Sequence, residues 1–75
     1  MKRDYQDRYI KIGLNIAYYR KLRGYTQYQL ADKLEIEQPH LSRIETASIG
    51  FSFDLFFAIA DALQVPPYKL LELRE

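Results

Sequence analysis

The chain contains no cysteine, so neither a disulfide nor a thiolate zinc site can brace it. Its one histidine, His40, has no cluster of carboxylates spaced around it, so no metal centre and no cofactor are expected. Three glycines and three prolines are too few for the many tight turns of an all-β sandwich. The longest apolar run, Leu55 to Ala60, has six residues, and a membrane-spanning helix needs about 20. Behind the charged start Met1-Lys2-Arg3-Asp4 no apolar stretch follows, so no signal peptide is expected and a cytoplasmic, non-membrane protein is. No nucleophile lies near a base, and no glycine-rich loop could cradle a phosphate, which argues against an enzyme.

What remains is a hydrophobic core. Seventy-five residues allow one small domain. A domain this size buries only about 60% of its unfolded surface, so its stability is marginal. Apolar residues make up 48% of the chain, too many for a disordered one.

The net charge of +1 hides an asymmetry. Residues 1–24 carry seven basic side chains (Lys2, Arg3, Arg8, Lys11, Arg20, Lys21, Arg23) against two acidic ones, a net of +5. Residues 25–50 and 51–75 each carry two basic against four acidic side chains, −2 apiece. A solvated helix face accounts for such a cluster as readily as a face turned to a polyanion.

Hydrophobic periodicity predicts five helical segments after a polar, frayed stretch over residues 1–7, with the domain spanning 8–75. The first runs from Arg8 to Arg23, with Tyr9, Ile12, Ile16 and Tyr19 on one face and Gly24 as its stop. Thr26 caps the second, with Gln29 as capping-box partner and Leu30, Ala31 and Leu34 inside. A three-residue turn, Glu35-Ile36-Glu37, leads to a third helix opened by Gln38-Pro39, with Leu41 and Ile44 inside. Ser52 caps a fourth helix bearing Phe53, Phe56, Ile59, Ala60 and Leu63; a fifth, short one starts at Pro67 with Leu70, Leu71 and Leu73. Leu14, Tyr18 and Leu22 form a second stripe on the first helix, which either the fifth helix or a second copy of the chain would cover.

The stretch from Gln27 to Thr46 carries the functional signal. Two short helices meet over Leu30, Leu34, Leu41 and Ile44, with Ile36 plugging the turn and small Ala31 letting the axes cross closely. Such a pair holds its second helix outward as a rod able to enter a DNA major groove.

These residues resemble the phage-repressor-like helix-turn-helix family, the Cro/C1 or XRE type. The likeness covers about residues 10–71 and includes Ile12-Gly13, Ile16, Arg20, Thr26-Gln27, Leu30-Ala31, Leu41-Ser42-Arg43-Ile44-Glu45, Ile59-Ala60, Leu63 and Val65. The resemblance implies an all-α, lambda-repressor-like fold and a transcriptional regulator that binds double-stranded DNA as a homodimer on an inverted repeat. Gln27 then matches a position that grips a phosphate and braces the recognition helix, and Gln38 the first position that reads a base, with adenine its natural partner. Pro39 offers only van der Waals contact, His40 and Ser42 flank the helix, and Arg43 matches a position able to fork onto guanine. Arg20 and Glu45 match a structural ion bridge from the first helix to the end of the third. Among the seven tyrosines, Tyr28 is expected to touch a phosphate and most of the others to pack in or around the core.

Two departures from the family pattern carry consequences. Glu35 stands where glycine is usual, at a turn position of positive φ. The loop Thr46 to Phe51 has no lysine or arginine, so its phosphate contacts fall to hydroxyls and backbone N–H groups, including those of the helix capped by Ser52, and the charges of the first helix take a larger share. A second reading of the same fold is an antitoxin or another protein-binding module, whose apolar surplus covers a partner protein and whose DNA binding is secondary.

Overall fold

The computed structural model describes residues 5–72. Its elements are α1 (Gln6–Leu22), α2 (Gln27–Leu34), α3 (Gln38–Glu45), α4 (Phe53–Leu63) and a 3-10 turn (Pro67–Leu71), with no strand among the described residues. The all-α, helix-turn-helix architecture expected from the sequence is thus present, with one difference in count. The fifth helix is a five-residue 3-10 turn: Pro66 precedes it, Pro67 opens it, and Glu72 is already extended at ψ 134. α1 starts at Gln6, two residues earlier than the periodicity indicates, and Gln6 Nε2 donates to the Ala47 carbonyl at 3.0 Å. The rest of the frayed stretch, residues 1–4, lies outside the described residues, as does Leu73.

One core joins all five elements: Ile16 and Tyr19 of α1, Leu30 and Ala31 of α2, Leu41 and Ile44 of α3, Phe56, Ile59, Ala60 and Leu63 of α4, and Leu70. Phe53, expected inside, is 77% exposed, because it is the first residue of α4 and the buried face begins one turn later at Phe56. The tyrosine expectation, Tyr28 outside and most of the other six in or around the core, holds for Tyr28 and for three of the six. Tyr19 is buried and Tyr9 and Tyr25 are half-buried, whereas Tyr5, Tyr18, Tyr28 and Tyr68 are exposed. Twelve core aliphatic and aromatic side chains already fill a domain this small, leaving no room for seven phenols.

The helix starts follow the sequence. Thr26 and Gln29 form the reciprocal capping box on α2, and Ser52 Oγ accepts from the Leu55 N–H at 3.1 Å. The helix ends share a device that the sequence shows only once. Each of the four helices closes with paired hydrogen bonds around one left-handed residue: Gly24 after α1, Glu35 after α2, Ala47 after α3 and Gln64 after α4. Only the first is glycine. At φ 57, 61 and 59, Glu35, Ala47 and Gln64 each cost roughly 1–2 kcal/mol. The residue that follows Gly24, Glu35 and Gln64 is Tyr25, Ile36 and Val65 respectively, and all three pack on the core. Burial of that next side chain offsets the strain, at roughly 1.5–3 kcal/mol for a fully buried aliphatic one.

Asn15, 2% exposed, fastens the C-terminal end. Its Nδ2 donates to the Leu70 carbonyl at 3.0 Å and to the Glu72 carbonyl at 2.6 Å, tying the turn down beside α1. The turn covers α1 only in part: Leu70 is buried, but Leu14, Tyr18 and Leu22 stay 62%, 46% and 59% exposed.

Candidate nucleic-acid interface

α2 and α3 are joined by Glu35-Ile36-Glu37, and α3 lies across both α1 and α2. Leu41 and Ile44 hold its inner face in the core, and Pro39 stands in its first turn, where a missing N–H breaks no helical hydrogen bond. The outer face is then fixed by the 3.6-residue repeat. Pro39 and Arg43, four residues apart, are exposed; His40 and Ser42 are half-buried at its sides; Gln38 is half-buried at its start. Among the described residues Arg43 has no ion-pair partner, and its guanidinium points away from the core. Tyr28, in the first turn of α2, is 72% exposed.

Beneath this face runs a chain of polar side chains. Arg20 Nε donates to Glu45 Oε2 at 2.7 Å, and Arg20 Nη2 to Glu45 Oε1 at 3.2 Å. Both side chains are buried, and Arg20 Nη1 also donates to the Tyr25 carbonyl at 2.9 Å. Gln27 Nε2 donates to Glu45 Oε1 at 2.9 Å, and Gln38 Nε2 donates to Gln27 Oε1 at 2.7 Å. The pair expected to tie α1 to α3 therefore continues through α2 to the first residue of α3. A buried carboxylate with a bidentate guanidinium partner is a strong fixture, since loss of one partner strands the other charge.

Gly13, present in the sequence without an evident task, makes this arrangement possible. A Cβ added there would overlap the Glu45 carbonyl oxygen and lie 2.9 Å from the Ile44 carbonyl oxygen. The α1 backbone thus runs directly against the C-terminal end of α3. Asn15 and Gly13 are the structural residues that periodicity could not single out; both lie on the polar or small flank of a helix whose apolar stripe is Ile12-Ile16-Tyr19.

The basic third of the chain is less available than its charge suggests. Arg20 is spent on Glu45. Arg23 Nε and Nη2 donate to the Leu63 and Gln64 carbonyls at 2.7 and 3.1 Å, capping the end of α4. Arg8 lies over the Tyr5 ring, 5.1 Å from its centroid. Of the described basic residues in that third, Arg8, Lys11 and Lys21 carry no ion pair or carbonyl contact, fewer free cations than the charge count suggests.

No helix among the described residues is long and apolar enough to cross a membrane, and no three His, Asp or Glu side chains gather where a metal could bind.

No curated protein matches the chain in sequence. Among solved structures it is similar to the restriction-modification controller protein C.AhdI from Aeromonas hydrophila, with 22% identity and a TM-score of 0.84 over 89% of this chain and 97% of that one. It is also similar to the hypothetical transcription factor NHTF from Neisseria, with 26% identity and a TM-score of 0.85 over 93% of this chain and 80% of that one. The first likeness is one of fold; the second adds a modest sequence relation. The family model described as "Helix-turn-helix" matches residues 16–70, which hold the Arg20–Glu45 pair, both helices of the motif and the buried face of α4. With that match over most of its length, and with α3 held outward on a buried polar support, the chain belongs to the XRE-type helix-turn-helix family of DNA-binding regulators.

Proposed function

We propose that this chain is a sequence-specific transcriptional regulator that inserts α3 into the major groove of double-stranded DNA, as a homodimer on an inverted repeat. The observation that carries the reading is the outer line of α3, exposed at Pro39 and Arg43 and half-buried at Gln38, on a helix whose opposite face is buried. Gln38 reads adenine, and Arg43, five residues or about 1.4 turns further on, forks onto guanine N7 and O6. Pro39 meets a thymine methyl; His40 and Ser42 reach the groove walls. Tyr28 donates its hydroxyl to a phosphate, and Gln27, which keeps one N–H beyond its bond to Glu45, does the same. Each well-placed bidentate base contact discriminates by about 1–3 kcal/mol.

Size is compatible with this symmetry. The described residues span 31 Å at most and hold one α3, and half-sites in the major groove of one DNA face lie about 34–36 Å apart, so an inverted repeat would take one copy per half-site. For its own dimer contact we propose the aromatic face formed by the starts of α1 and α4. Tyr5, Phe53, Phe57 and Leu71 are 60%, 77%, 49% and 52% exposed there. Tyr5, Phe53 and Leu71 line a groove of about 340 Å3 whose walls include Arg8, Tyr9 and Phe51, and Phe57 stacks on Phe53 beside it. At 150–250 Å2 per aromatic side chain, the exposed parts amount to roughly 500 Å2 per copy. Two copies then bury about 1,000 Å2, the lower bound for a specific interface and the size of a weak, concentration-dependent dimer. The charges on its margin are mixed, Arg8 beside Asp7 and Asp54, which suits a twofold contact of a surface with itself. The α1 stripe Leu14-Tyr18-Leu22 is flanked by Lys11 and Lys21 and would bring like charges together.

Selection of bound fragments from a random DNA pool tests the reading. A recovered inverted repeat with well-defined half-sites supports it. Recovery of no duplex, with a folded chain and a co-purifying small protein, would favour the antitoxin reading instead.

A further inference from the structure

We infer that the buried carboxylate of Glu45 sets the orientation of the Gln38 side-chain amide, through Gln27, and so decides which base Gln38 accepts. The inference rests on the DNA-reading role proposed for α3. It starts from donor and acceptor chemistry. An ionised carboxylate only accepts hydrogen bonds. Glu45 Oε1 lies 2.9 Å from the Gln27 amide, so Gln27 must turn its NH2 group toward it. The oxygen of Gln27 then faces the other way, toward Gln38, and accepts at 2.7 Å. Gln38 in turn must spend one N–H on that oxygen. What Gln38 has left for the groove is its carbonyl oxygen together with its second N–H.

An acceptor beside a donor matches adenine, which presents the N6 amine and N7. It does not match guanine, which presents O6 and N7, both acceptors, because the Gln38 oxygen would face O6. A glutamine free to rotate about its last torsion could turn two N–H groups toward guanine. Here the far end of the chain of hydrogen bonds is held: Arg20 fixes the Glu45 carboxylate in place at 2.7 Å, and both side chains are buried. Glu45 and Gln27 are thus positioning residues for base choice, acting through Gln38 and 18 and 11 residues apart in sequence along the path.

The polarity can be reversed by substitution. In Glu45→Gln, one of the two Arg20 bonds must be given up; the shorter one, 2.7 Å from Nε against 3.2 Å from Nη2, keeps an oxygen at the Oε2 position, so an NH2 group replaces Oε1, gives up the Nη2 bond and faces Gln27. Gln27 then offers its oxygen there and its NH2 group to Gln38. Gln38 answers with its oxygen and turns two N–H groups outward, the pattern that guanine accepts.

The test uses duplexes selected by the full chain from a random pool, each A·T pair changed in turn to G·C, with binding measured for wild type, Gln38→Ala, Gln27→Met and Glu45→Gln. The pair whose change no longer matters in Gln38→Ala is the one Gln38 reads. There the wild type is expected to prefer A·T by about 5-fold or more. Gln27→Met should bring that ratio close to one while weakening all duplexes alike through any lost phosphate contact. Glu45→Gln should abolish or invert it. A folded Gln27→Met that keeps the wild-type ratio overturns the inference, and this holds even if Glu45→Gln does not fold. So does a Gln38→Ala variant that changes discrimination at no position. If wild type selects no duplex, the regulator reading fails, and side-chain amide NMR of the free chain still decides the orientation. The Gln38 NH2 resonances should move to solvent-like positions in Gln27→Met; identical resonances in the two proteins overturn it.

Discussion

The backbone of α1 at Gly13 is pressed against the main-chain carbonyl of Glu45, the last residue of α3, so closely that no side chain fits between them. The obstacle is a helix end rather than a flexible side chain. Gly13→Ala must therefore push α3 away or bend α1. We expect a loss of about 1–3 kcal/mol in thermal unfolding, despite alanine's better helix propensity. Specific DNA binding should fall by more than binding to random DNA, since α3 is displaced while the charged surface is unchanged. Unaltered melting would show that the two helices can part without strain.

Glu45→Ala and Arg43→Ala separate support from reading. Glu45→Ala leaves Arg20 buried and charged without its carboxylate, at a cost on the order of 3–5 kcal/mol, most of a small domain's stability. Arg43→Ala removes a solvent-exposed guanidinium, and such a change stays within about 0.5 kcal/mol. It should nevertheless weaken the selected duplex by about 1–3 kcal/mol and relax choice at one base pair. Thermal melting and a binding titration on the same preparations check both.

Glu35→Gly should stabilise the domain. The φ of 57 at Glu35 costs an L-residue roughly 1–2 kcal/mol, and glycine gives back part of that gain as unfolded-chain entropy. A net gain near 0.5–1 kcal/mol, or a few degrees in Tm, is expected with no change in DNA affinity. Gln64→Gly, in the same geometry at φ 59, should behave alike. A fall in Tm for both would mean that the left-handed turns carry no strain.

Phe53→Glu places a charge in the middle of the proposed dimer face, at a residue that is 77% exposed in the single chain and contributes little to its fold. Sedimentation should show a monomer at concentrations where the wild type is a dimer, with melting of the chain nearly unchanged at low concentration. Leu14→Glu, on the α1 stripe, should leave the dimer intact. The reverse outcome would move the interface to α1.

The recognition unit is legible in the amino-acid sequence because its signals are local or strictly periodic. Thr26 with Gln29, Pro39 in a first turn, and Leu30, Leu34, Ile36, Leu41 and Ile44 at helical spacing each act within a few residues. The family likeness added the pairing of Arg20 with Glu45, and the structure places the two in contact. The failures have a common physical origin. Phe53 and three of the tyrosines, Tyr5, Tyr18 and Tyr68, are residues for which the core had no remaining volume. Arg23 is basic but caps the end of α4 forty residues away.

The amino-acid order alone therefore determined the four α-helices, the starts of α2, α3 and α4 and the outward face of α3, because those follow from backbone hydrogen bonding and from which side chains avoid water. Tertiary packing decided the rest. It set how closely α1 approaches α3 at Gly13, and it committed Arg20 and Arg23 to internal roles. It also turned the Gln27 amide toward Glu45 instead of solvent. These depend on distances between groups far apart in the chain, and such distances exist only once the core has closed.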